Sequence, residues 1–164
     1  MINREMLSAR IEAAFPAAHL LPDEPVLLHG NECLDCSMLI SEMDQWFRIP
    51  IDRPGLALFA GMQRHLTPGG WRWFVTNFLR LGVVDDNPAN RIEIDSLIWF
   101  LSPSAETADL VIEVLDNLSL EQLGVLVEFL HWLATHEFWQ DYSGHEITAA
   151  IEFLNERVGS RSRS

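Results

Sequence analysis

The residues best suited to chemistry are His29, Cys33 and Cys36, spaced H-x3-C-x2-C. Imidazole nitrogen and thiolate sulfur are the donors zinc takes, and a zinc site needs three or four of them to converge. A fourth would come from His19 or His65. No second ligand pair follows at the usual spacing. The favoured reading therefore makes Cys33 and Cys36 small apolar residues of a helix, with zinc binding as the alternative. A thioredoxin-like dithiol needs a βαβ context that this sequence lacks. His136-Glu137 and His145-Glu146 each begin like a zinc-protease motif, but Gln140 and Ala149 stand where the second histidine belongs. The sequence has no lysine, which excludes Schiff-base and P-loop chemistry, and no GxSxG or GxGxxG stretch. No catalytic residue is identified.

A second set of candidates concerns binding. Trp73 falls on the polar side of its helix with Thr76, Asn77 and Arg80. Tryptophan there suits a protein-binding anchor, although packing under a neighbouring segment is the simpler explanation. Glu106, Asp109, Glu113 and Asp116 form an acidic stripe at helical spacing, ordinarily a solvated face.

Charge narrows the partners. Twenty-four acidic side chains face 11 arginines, for a net charge of -13. Nucleic acid is disfavoured, because phosphate binding gains from counterion release only when cationic side chains replace the counterions. Anionic membranes are disfavoured for the same sign of charge. A basic protein would be steered towards such a surface. The first residues, MINREMLSARIEAAF, carry scattered charges and do not read as a secretory signal. No run of about 18 apolar residues suggests a membrane span. Two cysteines make no disulfide framework, and a cytoplasmic location is expected.

The elements that must position these residues read as helices. Ser119 and Gln122 form a capping box, and the helix that follows to His136 carries apolar residues over more than half its circumference. Leu120, Leu123, Leu126, Val127, Leu130 and Leu133 make one stripe, with Val125, Phe129 and Trp132 beside it. This helix is expected at the centre, surrounded by others. A first helix carries Leu7, Ile11 and Phe15 and ends at Pro16. A second, capped by Asn31, turns Leu39, Ile40, Met43 and Phe47 inward. Leu56, Leu58, Phe59 and Met62 make a brief helix weakened by Gly61, Thr67-Pro68 starts the next, through Leu81, and Ser102-Pro103 starts another, to Asn117. Leu97, Ile98, Phe100 and Leu101 form a buried segment between these last two that reads as helix, with Ile92 and Ile94 leaving a strand as the alternative, and DDNPAN at 85–90 is a solvated turn. Ser143 and Glu146 cap a final helix. The sum is an all-α, single-domain bundle of about seven helices over 1–158, with a disordered Arg/Ser tail at 159–164.

Ala14-Phe15-Pro16, His29 with Glu32-Cys33, Trp46, Leu66-Thr67-Pro68 with Trp71-Arg72-Trp73-Phe74, Leu118-Ser119-Leu120-Glu121-Gln122 and Phe129-Leu130 together resemble a family of small bacterial proteins known only as a domain of unknown function. The resemblance spans most of the chain and implies a helical fold without an established activity. The leading functional expectation is a non-enzymatic, acidic protein-binding module, an immunity or antitoxin-like inhibitor covering the basic site of a toxin. The alternatives are a metal-binding enzyme or sensor built on His29, Cys33 and Cys36, and a housekeeping interaction module.

Overall fold

The computed structural model describes residues 3–16, 25–30, 32–46, 59–82 and 91–163, the side chains of 41–46, 81–82 and 91–92 excepted. Among them are seven α-helices: α1 (Arg4–Ala14), α2 (Leu34–Trp46), α3 (Pro68–Gly82), α4 (Arg91–Leu101), α5 (Ala108–Asp116), α6 (Leu120–Leu133) and α7 (Glu137–Arg161). A 3-10 turn, Gln63–His65, precedes α3. No strand occurs among the described residues, only an isolated antiparallel bridge between Leu27 and Leu66. The all-α single-domain bundle expected from periodicity is the architecture found.

Helix α6 is the core. Ser119 accepts from Gln122 N at 3.1 Å while Gln122 Oε1 accepts from Ser119 N at 2.9 Å, the reciprocal cap read from sequence. Leu123, Val125, Leu126, Phe129, Leu130 and Leu133 are all buried, against α1 on one side and α7 on another. Phe129 meets Phe78 of α3 edge to face, and Gln122 Nε2 donates to Ala14 O at the end of α1. Leu120, expected in the stripe, is exposed at the first turn.

Helix α1 begins on Asn3, whose Oδ1 accepts from Met6 N at 2.8 Å, and Pro16 follows its end. Leu7, Ile11 and Ala14 form its buried face. In α3 the Thr67 hydroxyl caps Gly70 N at 3.0 Å, as the Thr-Pro pair predicts. Trp71 stacks on Phe100, joining α3 to α4.

Four expectations are corrected. Helix α5 starts at Ala108, not Pro103: residues 103–107 form a turn closed by Thr107 N and Ala108 N on Ser104 O. The chain does break between two helical stretches at Ser143, where a helix start was expected, but the break is a kink and not a fresh start out of a loop. Helix α7 already runs from Glu137 and kinks at Ser143 (φ −138°, ψ 25°), whose buried hydroxyl donates to Asp95 Oδ1 at 3.0 Å. The segment from Gly159 is helical through Arg161, because Arg161 Nη1 donates to Leu118 O at 2.7 Å and Leu115 O at 3.4 Å. Ile40, expected in the core, is exposed on α2. The loop 85–90, Asn31, Phe47 and the side chain of Met43 lie outside the described residues.

Candidate metal centre

Two short segments are brought side by side by the Leu27–Leu66 bridge. Leu28 N donates to His65 O at 2.8 Å, and Thr67 N donates to Val26 O at 2.9 Å. The Thr67 hydroxyl, besides capping α3, donates to Pro25 O at 2.7 Å. The close approach leaves no room for a side chain at Gly70, where a Cβ would sit 2.3 Å from Val26 O. Gln63, two residues before His65, is buried yet satisfied: its Nε2 donates to Ala60 O and its Oε1 accepts from Trp71 Nε1, both at 3.0 Å, which fixes the turn that carries His65 against α3.

Past Leu28 the chain turns. Cys33 N donates to Gly30 O at 3.2 Å, and Glu32 Oε1 accepts from Gly30 N at 2.9 Å, a bond that holds the Glu32 carboxyl below the usual carboxylate range. Cys33 directly precedes α2, and its carbonyl accepts from Ser37 N at 2.8 Å, the first bond of that helix. Cys36 follows in the first helical turn, fully buried. Burial pushes its thiol above the ordinary value, and the neighbouring Cys33 adds to the rise.

The outcome is a cluster: one ligand atom from each of His29, Cys33, Cys36 and His65, all within 4.8 Å of one another. His29 Nδ1 lies 4.0 Å from Cys36 Sγ, and the two imidazole centroids are 6.4 Å apart. Zinc bonds of about 2.3 Å to sulfur and 2.0–2.1 Å to nitrogen imply a tetrahedron with edges of about 3.3–3.8 Å. The cluster reaches that size by contracting about 1 Å. Its composition, two sulfurs and two nitrogens, selects zinc and related borderline or soft ions over magnesium or calcium.

A carboxylate lies against one of the histidines. His65 Nε2 is 3.3 Å from Asp35 Oδ2 and 3.1 Å from Arg64 Nε. A neutral ring makes one of these bonds according to its tautomer. The tautomer protonated at Nε2 donates to Asp35 and leaves the Nδ1 lone pair for a metal, the carboxylate–histidine arrangement that orients metal ligands elsewhere.

Of the two histidines named from sequence, His65 is the one brought to His29, Cys33 and Cys36, and His19 lies outside the described residues. Sequence reasoning missed Asp35 and Gln63. Asp35 carried only the signal of an acid in a first helical turn, and Gln63 none. The binding candidates fare differently. Trp73 is 8% exposed and packs edge to face on Phe59 at 5.2 Å, so it offers no anchor at the surface and the packing explanation holds. Glu106 lies in the turn before α5 rather than on it. Asp109 and Glu113 are exposed on α5, and Asp116 pairs with Arg157 of α7. Trp99, 58% exposed on α4, was not singled out. No described helix is long and apolar enough to cross a membrane.

Comparison with known proteins gives no match among family models, curated proteins or solved structures.

Proposed function

We propose that this protein binds one zinc ion through His29, Cys33, Cys36 and His65, and that the ion serves the fold rather than a reaction. The observation that carries the reading is the convergence of four nitrogen and sulfur donors, from two separate segments, within 4.8 Å. Four protein ligands complete a tetrahedron and leave no position for an activated water, the mark of structural rather than hydrolytic zinc. The ion then joins the start of α2 to the segment ahead of α3. The test is the metal content of the full chain, purified reduced and without chelator, followed by cobalt substitution. One zinc per chain is expected, with cobalt giving the absorption of a tetrahedral, thiolate-bound ion. Cys36→Ser and His65→Ala should lose the metal, whereas His131→Ala, exposed on α6, should keep it. A reduced wild-type chain that neither carries nor takes up zinc ends the proposal.

A second reading concerns what the zinc-stabilised body does. It is a non-enzymatic binding protein for a basic partner, a toxin domain being the chief case. The observation in its favour is the net charge of -13 together with the exposed carboxylates Asp109 and Glu113. Its test is a pull-down from the native host at low and high salt. One stoichiometric basic protein, inhibited on binding, supports it; recovery of nothing specific at either salt rejects it.

A further inference from the structure

Resting on the zinc reading above, we infer that the centre is a redox switch in which hydrogen peroxide converts Cys33 and Cys36 into a disulfide and expels the metal. The placement of the two sulfurs carries the inference. They belong to one cluster, at C-x2-C spacing, with their Sγ atoms within 4.8 Å of each other. They differ in access: Cys33 is half-buried at the mouth of the turn, while Cys36 is sealed beneath it. That assigns their order. The Cys33 thiolate attacks one peroxide oxygen, the O–O bond breaks, and a sulfenic acid and hydroxide result. The Cys36 thiolate then attacks the Cys33 sulfur, the S–O bond breaks, and a second hydroxide leaves. Two protons convert the hydroxides to water. Each sulfur has lost one electron, and the peroxide has accepted both. These are the chain's two cysteines, so one disulfide consumes every thiolate ligand. The two neutral imidazoles that remain do not hold the ion.

The disulfide does not replace the link that the metal made. Zinc joins the start of α2 to His65, whereas a Cys33–Cys36 bond ties α2 only to the residue before it. Among the described side chains of α2, Cys36 and Leu39 alone are buried, and Leu34, Met38 and Ile40 are exposed. Oxidation therefore loosens α2 from the body.

The experiment uses the full chain, assayed for zinc while reduced and then titrated with hydrogen peroxide beside a chromogenic zinc chelator. Intact mass and hydrogen exchange are followed in parallel. One zinc released per disulfide, a loss of two hydrogens in mass without dimer, faster exchange over 34–40 and recovery with thiol plus zinc are expected. Zinc that stays bound after an equivalent of peroxide overturns the switch while leaving the metal proposal intact. So does release accompanied by sulfinic acid or intermolecular disulfide. A reduced chain without zinc removes both.

Discussion

Gly70→Ala should weaken both the fold and the metal centre, although glycine to alanine in a helix ordinarily stabilises by up to about 1 kcal/mol. The added Cβ would stand 2.3 Å from Val26 O, where ordinary contact begins near 3.4 Å. The 25–28 segment must therefore retreat by about 1 Å, or the first turn of α3 must. Retreat of the segment stretches Leu28 N–His65 O (2.8 Å), Thr67 N–Val26 O (2.9 Å) and Thr67 Oγ1–Pro25 O (2.7 Å) beyond bonding range. Retreat of the turn instead breaks the Thr67 cap on Gly70 N. Three hydrogen bonds at about 1 kcal/mol each, less the helical gain, leave a net loss of about 2 kcal/mol. For a chain of this length that lowers Tm by roughly 4–8 °C. His29 is carried on the displaced segment, and metal–ligand distances tolerate only about 0.2 Å, so zinc affinity falls as well. Gly124→Ala is the matched control. Nothing lies within 4 Å of a Cβ there, and Tm should rise by about 2–4 °C. Thermal melts with and without zinc, and competition of each variant with a chelator, measure both effects. If Gly70→Ala melts no lower than wild type and holds zinc as tightly, the bridge does not position His29.

Asp35→Asn removes the carboxylate behind His65 Nε2 and should weaken zinc binding by about 10–100-fold, with the metal-free melting curve little changed. Arg161→Ala takes the guanidinium donor from Leu118 O, while Leu115 O keeps its bond from Leu118 N, and should cost about 1 kcal/mol, read by urea denaturation. The metal-free protein should lose stability as pH rises. The folded-state value of the Cys36 thiol lies above its ordinary 9.0, so its contribution is whole below pH 9.0 and is lost as the thiol ionises in its buried site. Melts from pH 8 upward, compared with Cys36→Ser, isolate that effect.

The same local signal gave opposite results at different places in the chain, and the reason is tertiary. Thr67-Pro68 starts a helix because the Thr67 hydroxyl finds Gly70 N. Ser102-Pro103 does not, because the Ser102 hydroxyl turns back to Trp99 O and the chain closes a turn on Ser104 first. Ser119 and Ser143 both open a capping-box pattern. Ser119 caps its helix; the Ser143 hydroxyl donates to Asp95 across the α4–α7 contact, and the helix break expected there takes the form of a kink between two helical stretches. At Arg161 a polar stretch that reads as a tail stays helical, its guanidinium reaching Leu115 O at the end of α5 and Leu118 O just past it. Periodicity, by contrast, located the central helix correctly, since six of its apolar residues are buried and burial is what periodicity reports.

The metal centre divides along the same line. His29, Cys33 and Cys36 are legible because one turn and the start of one helix hold them, so their spacing in sequence is their spacing in space. His65 was nameable but not selectable over His19, because it arrives through a bridge between Leu27 and Leu66 that has no period to reveal it. The apolar face expected of α2 is met at Leu39, which is buried, and missed at Ile40, which is exposed; Met43 and Phe47 lie outside the described side chains. Leu34 and Met38 are exposed as well, and among the described side chains of α2 only Cys36 and Leu39 are buried, against six apolar residues in α6. A helix begun by one ligand and sealed by another, with little else buried among its described residues, is the element whose position a metal would have most to decide. On the zinc reading proposed above, coordination at the start of α2 would do there part of the work that burial does in α6.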